Sequence, residues 1–358
     1  MSELSSDKLQ ELVGQIKDPE TGRPMSATGQ VRSASLSGNK AELTIGLTSH
    51  SAPLQGKFAE RIQTKVREAF ASLTEVQVQF EHFDRPAAAL GNLGITVKSV
   101  IAVGSGKGGV GKSTVATSLA LALKSAGSKV GLLDADVYGP SVPQLLGLEG
   151  QPPIVDNKIQ PIEFQGMPVM SIGLLVATEE AVIWRGPMLH SAITRFVRDV
   201  AWGDLDYLII DMPPGTGDVA LSLSQMVPLS GSVVVCTPQK VALLDAIKAV
   251  AMFQKVNIPV LGLVENMSTF VCPDNGKQYD IFGRGGVTRL AEQTGIRLLG
   301  ELPINISIRE RGDEGQTIAN LEDPLVADYL QALATNLATE LWERAEKSPA
   351  QPQLPILQ

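Results

Sequence analysis

The sequence predicts an α/β protein, in which helices cover a parallel sheet and a small α+β domain precedes it. Three observations support this fold class. Apolar runs of strand length alternate with helical patterns over residues 98–345, as they do in parallel sheets. A glycine-rich stretch, from Gly104 to Thr114, joins the first of these strands to a helix. Residues 1–85 instead combine alternating strand patterns with amphipathic helical ones.

The glycine-rich stretch matches the phosphate-loop pattern G-x-x-x-x-G-K-[ST], which here runs from Gly106 to Ser113. Glycines let the backbone wrap closely around a phosphate chain, and the following helix directs its positive end at the anion. In such loops the lysine, here Lys112, contacts the β- and γ-phosphates, and the hydroxyl of Ser113 ligates Mg²⁺. The simpler alternative is a glycine-rich turn before a helix. The flanking strand and helix favour the phosphate loop, and hence a nucleotide site.

Carboxylates follow two later strand patterns. Asp134 and Asp136 end an apolar run and stand two residues apart, so that a continuing strand would direct both side chains to the same face. Asp211 ends a longer apolar run, as expected of a Walker B carboxylate that holds the Mg²⁺ shell. The alternatives are a solvated turn for the pair and an ordinary strand end for Asp211.

Composition excludes several other classes of protein. The chain of 358 residues has a net charge of −8 and a pI of about 5.1, which does not favour binding to nucleic acid or to an anionic membrane. We find no apolar run long enough to span a bilayer and no secretory signal. The two cysteines, Cys236 and Cys272, form no disulfide framework, so we expect a cytoplasmic protein.

Six motifs together resemble the Mrp/ApbC family of P-loop ATPases over nearly the whole chain. They are KGGVGKST, DADVYGPS, IWRGP, DMPPGTGD, ENMS and the Asp18-Pro19-Glu20 turn of the small domain. The early lysine of the loop, Lys107, is typical of deviant Walker A loops, which the nitrogenase iron protein and the Min and Par ATPases share. The resemblance implies a homodimer in which Lys107 reaches the partner's nucleotide; on chemistry alone Lys107 is equally a surface lysine.

The resemblance also implies roles for single residues. Asp136 would orient the attacking water, with Lys107 and Lys112 as the other catalytic residues, and Ser113, Asp134 and Asp211 would form the Mg²⁺ shell. Asn266 would read the adenine edge and Pro303 would line the base pocket. Switch II would include Pro214, Gly215, Gly217 and Asp218. The predicted nucleotide-binding residues are Gly106, Lys107, Gly108, Gly109, Val110, Gly111, Lys112, Ser113, Thr114, Asn266 and Pro303.

Cluster binding, as the resemblance implies it, depends on the cysteines. Many members carry C-P-x-C where this chain has Cys272-Pro-Asp-Asn275, so two subunits would supply only two of the four thiolates that a bridging [4Fe–4S] cluster normally uses. Ala52 stands where the small domain often has a cysteine. Cys236 lies inside an apolar strand, where cysteine acts as a small apolar side chain. Cys272 is therefore the one possible iron–sulfur ligand that we identify.

The resulting prediction is an ATP-hydrolysing iron–sulfur cluster carrier that acts on apoprotein clients or scaffold proteins. The alternative is a positioning ATPase of the Min or Par type that binds no cluster. We expect a small domain over residues 1–85, a linker over 86–97, the ATPase domain over 98–345 and a disordered tail over 346–358.

Overall fold

The computed structural model describes residues 5–90, 95–175, 186–215 and 217–349. The internal contacts of the chain define two compact units. The small unit comprises Met1–Arg85 and Ala338–Gln358, and the large unit comprises Pro86–Leu337. The sequence analysis placed the entire closing helix in the ATPase domain, whereas the second half of that helix belongs to the small unit.

The small unit is an α+β structure with a three-stranded sheet. Its elements are α1 (Ser6–Gly14), α2 (Met25–Thr28), β1 (Val31–Ser37), β2 (Lys40–Leu47), α3 (Gln55–Ala69) and β3 (Glu75–His82). In the order β1-β2-β3, the first pair is antiparallel and the second is parallel. The pattern of β2 predicted its strand, since buried residues alternate along its first half. The polar strand β1 has no such pattern.

The large unit alternates strands and helices. Its helices are α4 (Lys112–Ser125), α5 (Val142–Leu146), α6 (Gly186–Arg198), α7 (Gly217–Met226), α8 (Lys240–Lys255), α9 (Gly286–Thr294), α10 (Ile306–Asp313) and α11 (Ala327–Lys347), of which the last continues into the small unit. Its strands are β4 (Ala89–Leu90), β5 (Ile95–Ser105), β6 (Val130–Asp134), β7 (Ile154–Val155), β8 (Lys158–Ile159), β9 (Ile162–Phe164), β10 (Met167–Ser171), β11 (Leu205–Asp211), β12 (Gly231–Cys236), β13 (Val260–Val271), β14 (Gln278–Tyr279) and β15 (Leu298–Ile304).

Within the described residues, ten of these strands form one sheet. Its order is β14-β13-β12-β5-β11-β6-β10-β9, with β15 also beside β13 and β4 beside β5. The central pairs are parallel, while β4, β9 and β14 are antiparallel additions. Every residue of β11 and β12 is buried, as expected for strands covered on both faces. The predicted fold class is confirmed.

The core of the small unit includes the end of α11. Trp342 is buried with Phe58, and their rings meet edge to face at a centroid distance of 5.6 Å. The Arg61 guanidinium lies 4.6 Å from the Trp342 ring centroid and pairs with Glu346 at 2.7 Å. Gly22, at a φ of 68°, passes so close to α11 that a Cβ would lie 1.9 Å from the carbonyl oxygen of Ala345. The small unit is therefore assembled from both ends of the described chain.

Two predicted boundaries differ from the structure. Within the expected linker of residues 86–97, β4 and the start of β5 pair with each other in the large sheet, with Ala89 opposite Thr96. At the other end, Glu346 and Lys347 close α11 instead of starting a tail. Residues 350–358 of the expected tail lie outside the described residues, as do residues 176–185, which include most of the IWRGP motif.

Candidate nucleotide site

The loop between β5 and α4 is shaped by glycines. Gly109 and Gly111 have φ values of 78° and 79°, a region that other residues rarely adopt. A Cβ on Gly106 would lie 2.1 Å from the carbonyl oxygen of Asp245, and one on Gly111 would lie 2.1 Å from Nδ2 of Asn266. The loop therefore lies directly against α8 on one side and against β13 on the other.

Asn266 holds this loop in place. Its Nδ2 donates to the carbonyl oxygen of Val110 at 2.8 Å, and both side chains are buried. Its strand neighbour across the sheet is Leu302, which precedes the buried Pro303. The predicted contact of Asn266 and Pro303 with adenine stays a prediction. What sequence reasoning missed is the support that Asn266 gives to the phosphate loop.

Lys112 begins α4 and lies among carboxylates. Its Nζ is 2.6 Å from Oδ1 of Asp211, 3.4 Å from Oδ2 of Asp136 and 3.1 Å from the Oγ of Ser113. The structure thus brings together four of the predicted site residues, which come from three separate stretches of sequence. The side chain of Lys112 is only 6% exposed. Lys112 and the two carboxylates therefore interact in a desolvated environment, where electrostatic attraction is strong.

Asp211 has one carboxylate oxygen to spare. It is fully buried at the end of β11, and its Oδ2 makes no hydrogen bond within the described residues. Burial raises the pKa of Asp211, although Lys112 and Ser113 act in the opposite direction. A buried oxygen without a donor is costly. This site therefore suits a cation, and Ser113 supplies a second oxygen beside it.

The carboxylate of Asp134 binds the backbone of the loop that follows β6. Its Oδ1 accepts from the backbone N–H of Asp136 at 3.1 Å, and its Oδ2 accepts from the N–H of Val142 at 3.2 Å and from the hydroxyl of Ser171 at 2.9 Å. Burial and the nearby charge of Asp211 raise its pKa to about 7. The strand ends at Asp134, so Asp136 lies in the following loop, in contrast to the continuing strand that the spacing suggested.

The predicted switch II segment lies against the phosphate loop. The N–H of Gly215 donates to the carbonyl oxygen of Ser105 at 3.0 Å, and a Cβ on Gly108 would lie 3.9 Å from the ring of Pro214. Gly217 begins α7, followed by Asp218; the side chain of Asp218 lies outside the described part of the structure, as does Thr216.

Lys107 lies at the entrance of the loop. Its side chain is half-buried, whereas Gly108 and Gly109 beside it are exposed. Its carbonyl oxygen accepts from the Ser105 hydroxyl at 2.9 Å. None of the ion pairs among the described residues involves its Nζ. Of the remaining loop residues, Val110 is buried and Thr114 is half-buried in the first turn of α4.

Cys272 lies at a hairpin between β13 and β14. Its N–H donates to the carbonyl oxygen of Lys277, and its carbonyl oxygen accepts from the N–H of Gly276, both at 2.9 Å. Asn275, the replacement for the second family cysteine, accepts from the N–H of Lys277 at 2.9 Å and so stabilises the turn. The thiol is half-buried.

Ligands for a metal are otherwise scarce around the cysteines. No group of three or more His, Cys, Asp or Glu side chains that could hold a metal occurs in the described parts of the chain. Cys236 is buried, and burial together with Glu265 raises the pKa of its thiol to about 12. Ala52 stands half-buried in a short 3₁₀ helix, Ser49–Leu54, so the small unit has no thiol there.

A glycine-shaped loop, a buried lysine at a helix start and strand-end carboxylates on a parallel sheet define a P-loop NTPase. Comparison with known proteins resolves the class further. The chain belongs to the family of NUBPL iron-transfer P-loop NTPases, whose model matches residues 96–338. A second model, of iron–sulfur cluster assembly proteins, matches residues 6–80. The predicted family is confirmed.

Curated relatives extend over the whole chain. An iron–sulfur cluster carrier protein of Deinococcus radiodurans is 46% identical and covers 98% of this chain and 100% of its own. One of Synechocystis is 40% identical over 94% of this chain and 97% of its own. One of Escherichia coli is 49% identical over 71% of this chain and 70% of its own. These relatives favour the iron-transfer branch over the positioning ATPases.

Solved structures agree on the fold of the large unit. A nucleotide-binding protein of Archaeoglobus fulgidus in complex with ADP is 40% identical, with a TM-score of 0.57, over 65% of this chain and 92% of its own. The fold is shared with the cell division ATPase MinD of Pyrococcus furiosus, which is 24% identical with a TM-score of 0.51. The match covers 69% of this chain and 99% of MinD. No helix in the described residues is long and apolar enough to cross a membrane.

Proposed function

We propose that this chain is an ATP-hydrolysing iron–sulfur cluster carrier that works as a homodimer. The observation that supports hydrolysis most directly is the buried contact of Lys112 with Asp211 and Asp136 at the phosphate loop. The ADP complex of the Archaeoglobus relative supports an adenine nucleotide as the ligand. The names of the relatives support an iron–sulfur cluster as the cargo.

Each residue at the loop has a role in this proposal. Ser113 and Asp211 would hold the Mg²⁺ that neutralises the phosphate charge of ATP, since Oδ2 of Asp211 is buried without a donor. Lys112 exchanges its carboxylate partners for the β- and γ-phosphates when ATP binds. Asp136 then orients the attacking water. Gly215, bonded to Ser105 at the base of the loop, lets switch II respond to the γ-phosphate.

A second copy of the chain completes the site. Half-buried Lys107 stands beside the loop and would reach the partner's nucleotide. The adjacent helix α8, whose backbone touches Gly106, exposes an apolar stripe of Val241, Leu244 and Ile247, at 65%, 62% and 44% exposure. Such a stripe on a polar surface suits a protein interface. A two-fold axis would bring both stripes and both Lys107 side chains together.

The cargo would be held at Cys272. The residues present do not form a complete cluster site, because two copies bring only two thiolates where a [4Fe–4S] cluster normally takes four. The cluster is therefore cargo that outside ligands complete, from a small thiol, a scaffold or the apoprotein client. Incomplete ligation by the carrier suits transfer, since a client with more thiolates binds the cluster more tightly.

Anaerobic reconstitution with iron, sulfide and glutathione tests the cargo. We expect wild-type protein to gain the visible absorbance of a cluster and to pass it to an apo-ferredoxin. Cys272→Ala should lose both, whereas Cys236→Ala, the matched control at the buried cysteine, should keep both. ATP hydrolysis should stay within about twofold in both variants, because neither thiol is a hydrogen-bond or ion-pair partner of Lys112. A Cys272→Ala protein that binds and delivers as much cluster as wild type would rule out this carrier site.

A further inference from the structure

Strand β10 (Met167–Ser171) ends beside the nucleotide site. It runs parallel to β6, and Val169, Met170 and Ser171 pair with Leu132, Leu133 and Asp134. Because parallel strands in this register end at the same edge, Ser171 lies next to Asp134. Both residues are fully buried.

The hydroxyl of Ser171 has its proton committed to Asp134. The N–H of Gly173 donates to the Oγ of Ser171 at 3.0 Å, so that oxygen already accepts one hydrogen bond. Its single proton is then available for Oδ2 of Asp134, at 2.9 Å. The backbone turn at Gly173 thus fixes the direction in which Ser171 donates.

Asp134 in turn fixes both ends of the loop that carries Asp136. One of its oxygens accepts from the N–H of Asp136 and the other from the N–H of Val142, where α5 begins. Asp136 is held 3.4 Å from Lys112. Rotation of the Asp134 carboxylate would therefore release the backbone on each side of Asp136.

From this chain of contacts we infer that Ser171 is a positioning residue for ATP hydrolysis, acting through Asp134 on Asp136. This inference rests on the proposed hydrolysis. It gives β10 a role in the reaction, since the strand supplies the only side-chain donor that the described residues direct at Asp134. Ser171 does not touch the phosphate loop in these contacts, so its loss should affect turnover more than nucleotide affinity.

The test compares Ser171→Ala with Ser232→Ala. Ser232 is also a fully buried strand serine, on β12, and its hydroxyl contacts the carbonyl oxygen of Pro259 at 3.4 Å, away from the loop. We expect Ser171→Ala to lower kcat by about 10-fold to 100-fold, the usual cost of losing a residue that orients a site ligand. KM for ATP should change by less than about threefold, and Ser171→Thr, which keeps the hydroxyl, should restore most of kcat.

Amide hydrogen exchange of the nucleotide-free protein provides a readout that does not depend on hydrolysis. In Ser171→Ala, exchange should speed up by at least about tenfold in peptides from residues 134–146 and stay unchanged in β12. Unchanged exchange in both regions, or equal acceleration in both, would overturn the positioning role. A wild-type protein that fails to hydrolyse ATP would instead refute the proposed function, and the exchange result would still decide whether Ser171 orders the loop.

Discussion

Asp18 in the small unit and Asp211 in the large unit are both fully buried carboxylates that pair with a basic side chain. Asp18 accepts hydrogen bonds from Thr21, Gln30 and Arg85 through both of its oxygens. Oδ1 of Asp211 accepts a hydrogen bond from Nζ of Lys112, and Oδ2 has no donor within the described residues. The first network is complete without a ligand, whereas the second has room for a cation.

The pKa shifts of the two carboxyls reflect this difference. Burial raises the pKa of Asp18, but Arg85 and the hydrogen bonds from Thr21 and Gln30 outweigh it, and the net pKa is lowered. At Asp211 burial prevails, and the pKa is raised. Two equally buried carboxylates therefore indicate opposite roles: Asp18 stabilises its unit, and Asp211 is held at a cost in stability that a bound cation would offset.

The largest effect that we expect comes from Lys112→Ala. Lys112 is the one cation that the described residues place beside both Asp211 and Asp136. Its loss removes the contact to the transferring phosphoryl group, so kcat for ATP should fall by about 1,000-fold or more. Lys124→Ala, at the other end of α4, is the control and should stay near wild type. Steady-state phosphate release measures both. If Lys112→Ala turns over ATP normally, the nucleotide site is assigned wrongly.

Arg85→Met should break the closed network of the small unit. Removing one partner of a buried ion pair typically costs about 3–5 kcal/mol, because the other charge stays buried. Urea unfolding, monitored by hydrogen exchange of β2 and α3, measures this loss of unfolding free energy. The exposed Arg67→Met is the control and should change the unfolding free energy by less than about 0.5 kcal/mol.

The pH dependence of the same network has a definite sign. Because the folded pKa of Asp18 lies below its ordinary value of 3.8, its stabilisation is present above pH 3.8 and is lost as the pH falls through the folded pKa. In Arg85→Met that acid-induced loss should shrink, since the pKa of Asp18 rises. An Arg85→Met protein with wild-type stability and an unaltered acid transition would show that the network contributes little.

Lys107→Ala should lower turnover by about 100-fold, a smaller loss than at Lys112, because it removes one positively charged group of the partner from a site that is otherwise intact. Mixing it with Asp136→Ala should restore activity, since a mixed dimer has one site with both residues. The control partner is the double variant Lys107→Ala/Asp136→Ala, which lacks the lysine to donate. Equal activity with both partners would contradict the shared site.

Asp211→Asn should change stability in the opposite direction to Arg85→Met. Because burial raises the pKa of Asp211, its charged form is disfavoured in the folded protein, and neutralising it should increase the unfolding free energy of the large unit, although hydrolysis is lost. The control is Asp204→Asn, which changes an exposed aspartate immediately before β11. A clearly destabilised Asp211→Asn protein would mean that its pairing with Lys112 outweighs burial.

Burial of Asp134, together with repulsion from Asp211, predicts a pH effect as well. The pKa of Asp134 is raised to about 7 from 3.8, so its contribution to stability is present below pH 3.8 and declines as the pH rises to about 7. The large unit should therefore be less stable at pH 8 than at pH 5, and Asp211→Asn should narrow that difference. Urea unfolding at the two pH values measures it.

The sequence predicted those parts of the site that local chemistry dictates. The phosphate loop and the strand ending in Asp211 need particular residues at fixed spacing, so their pattern alone located Lys112, Ser113 and Asp211. The contact of Asn266 with Val110 joins residues 156 positions apart, and no local pattern records it. Ser171 was missed for the same reason, although a polar residue at the end of an apolar run was a usable signal.

Domain boundaries were harder to predict for a related reason. The helical pattern of α11 is continuous, and nothing in it marks Ala338 as the point where its contacts change from one unit to the other. Residues 86–97 are small and turn-forming, which is typical of linkers, yet Ala89 pairs with Thr96 in the large sheet. Composition describes a segment's preferences, whereas its partners elsewhere in the chain decide its structure.

The position of Trp342 in the core of the small unit has a consequence for synthesis on the ribosome. Domains usually fold in order as they emerge from the amino terminus, but here the core of residues 1–85 lacks its α11 residues until they are made, about 250 residues later. During that interval Phe58 has no Trp342 to cover it, and the nascent segment exposes an apolar surface. The unit that is translated first is therefore completed last, after the nucleotide-binding sheet has been made.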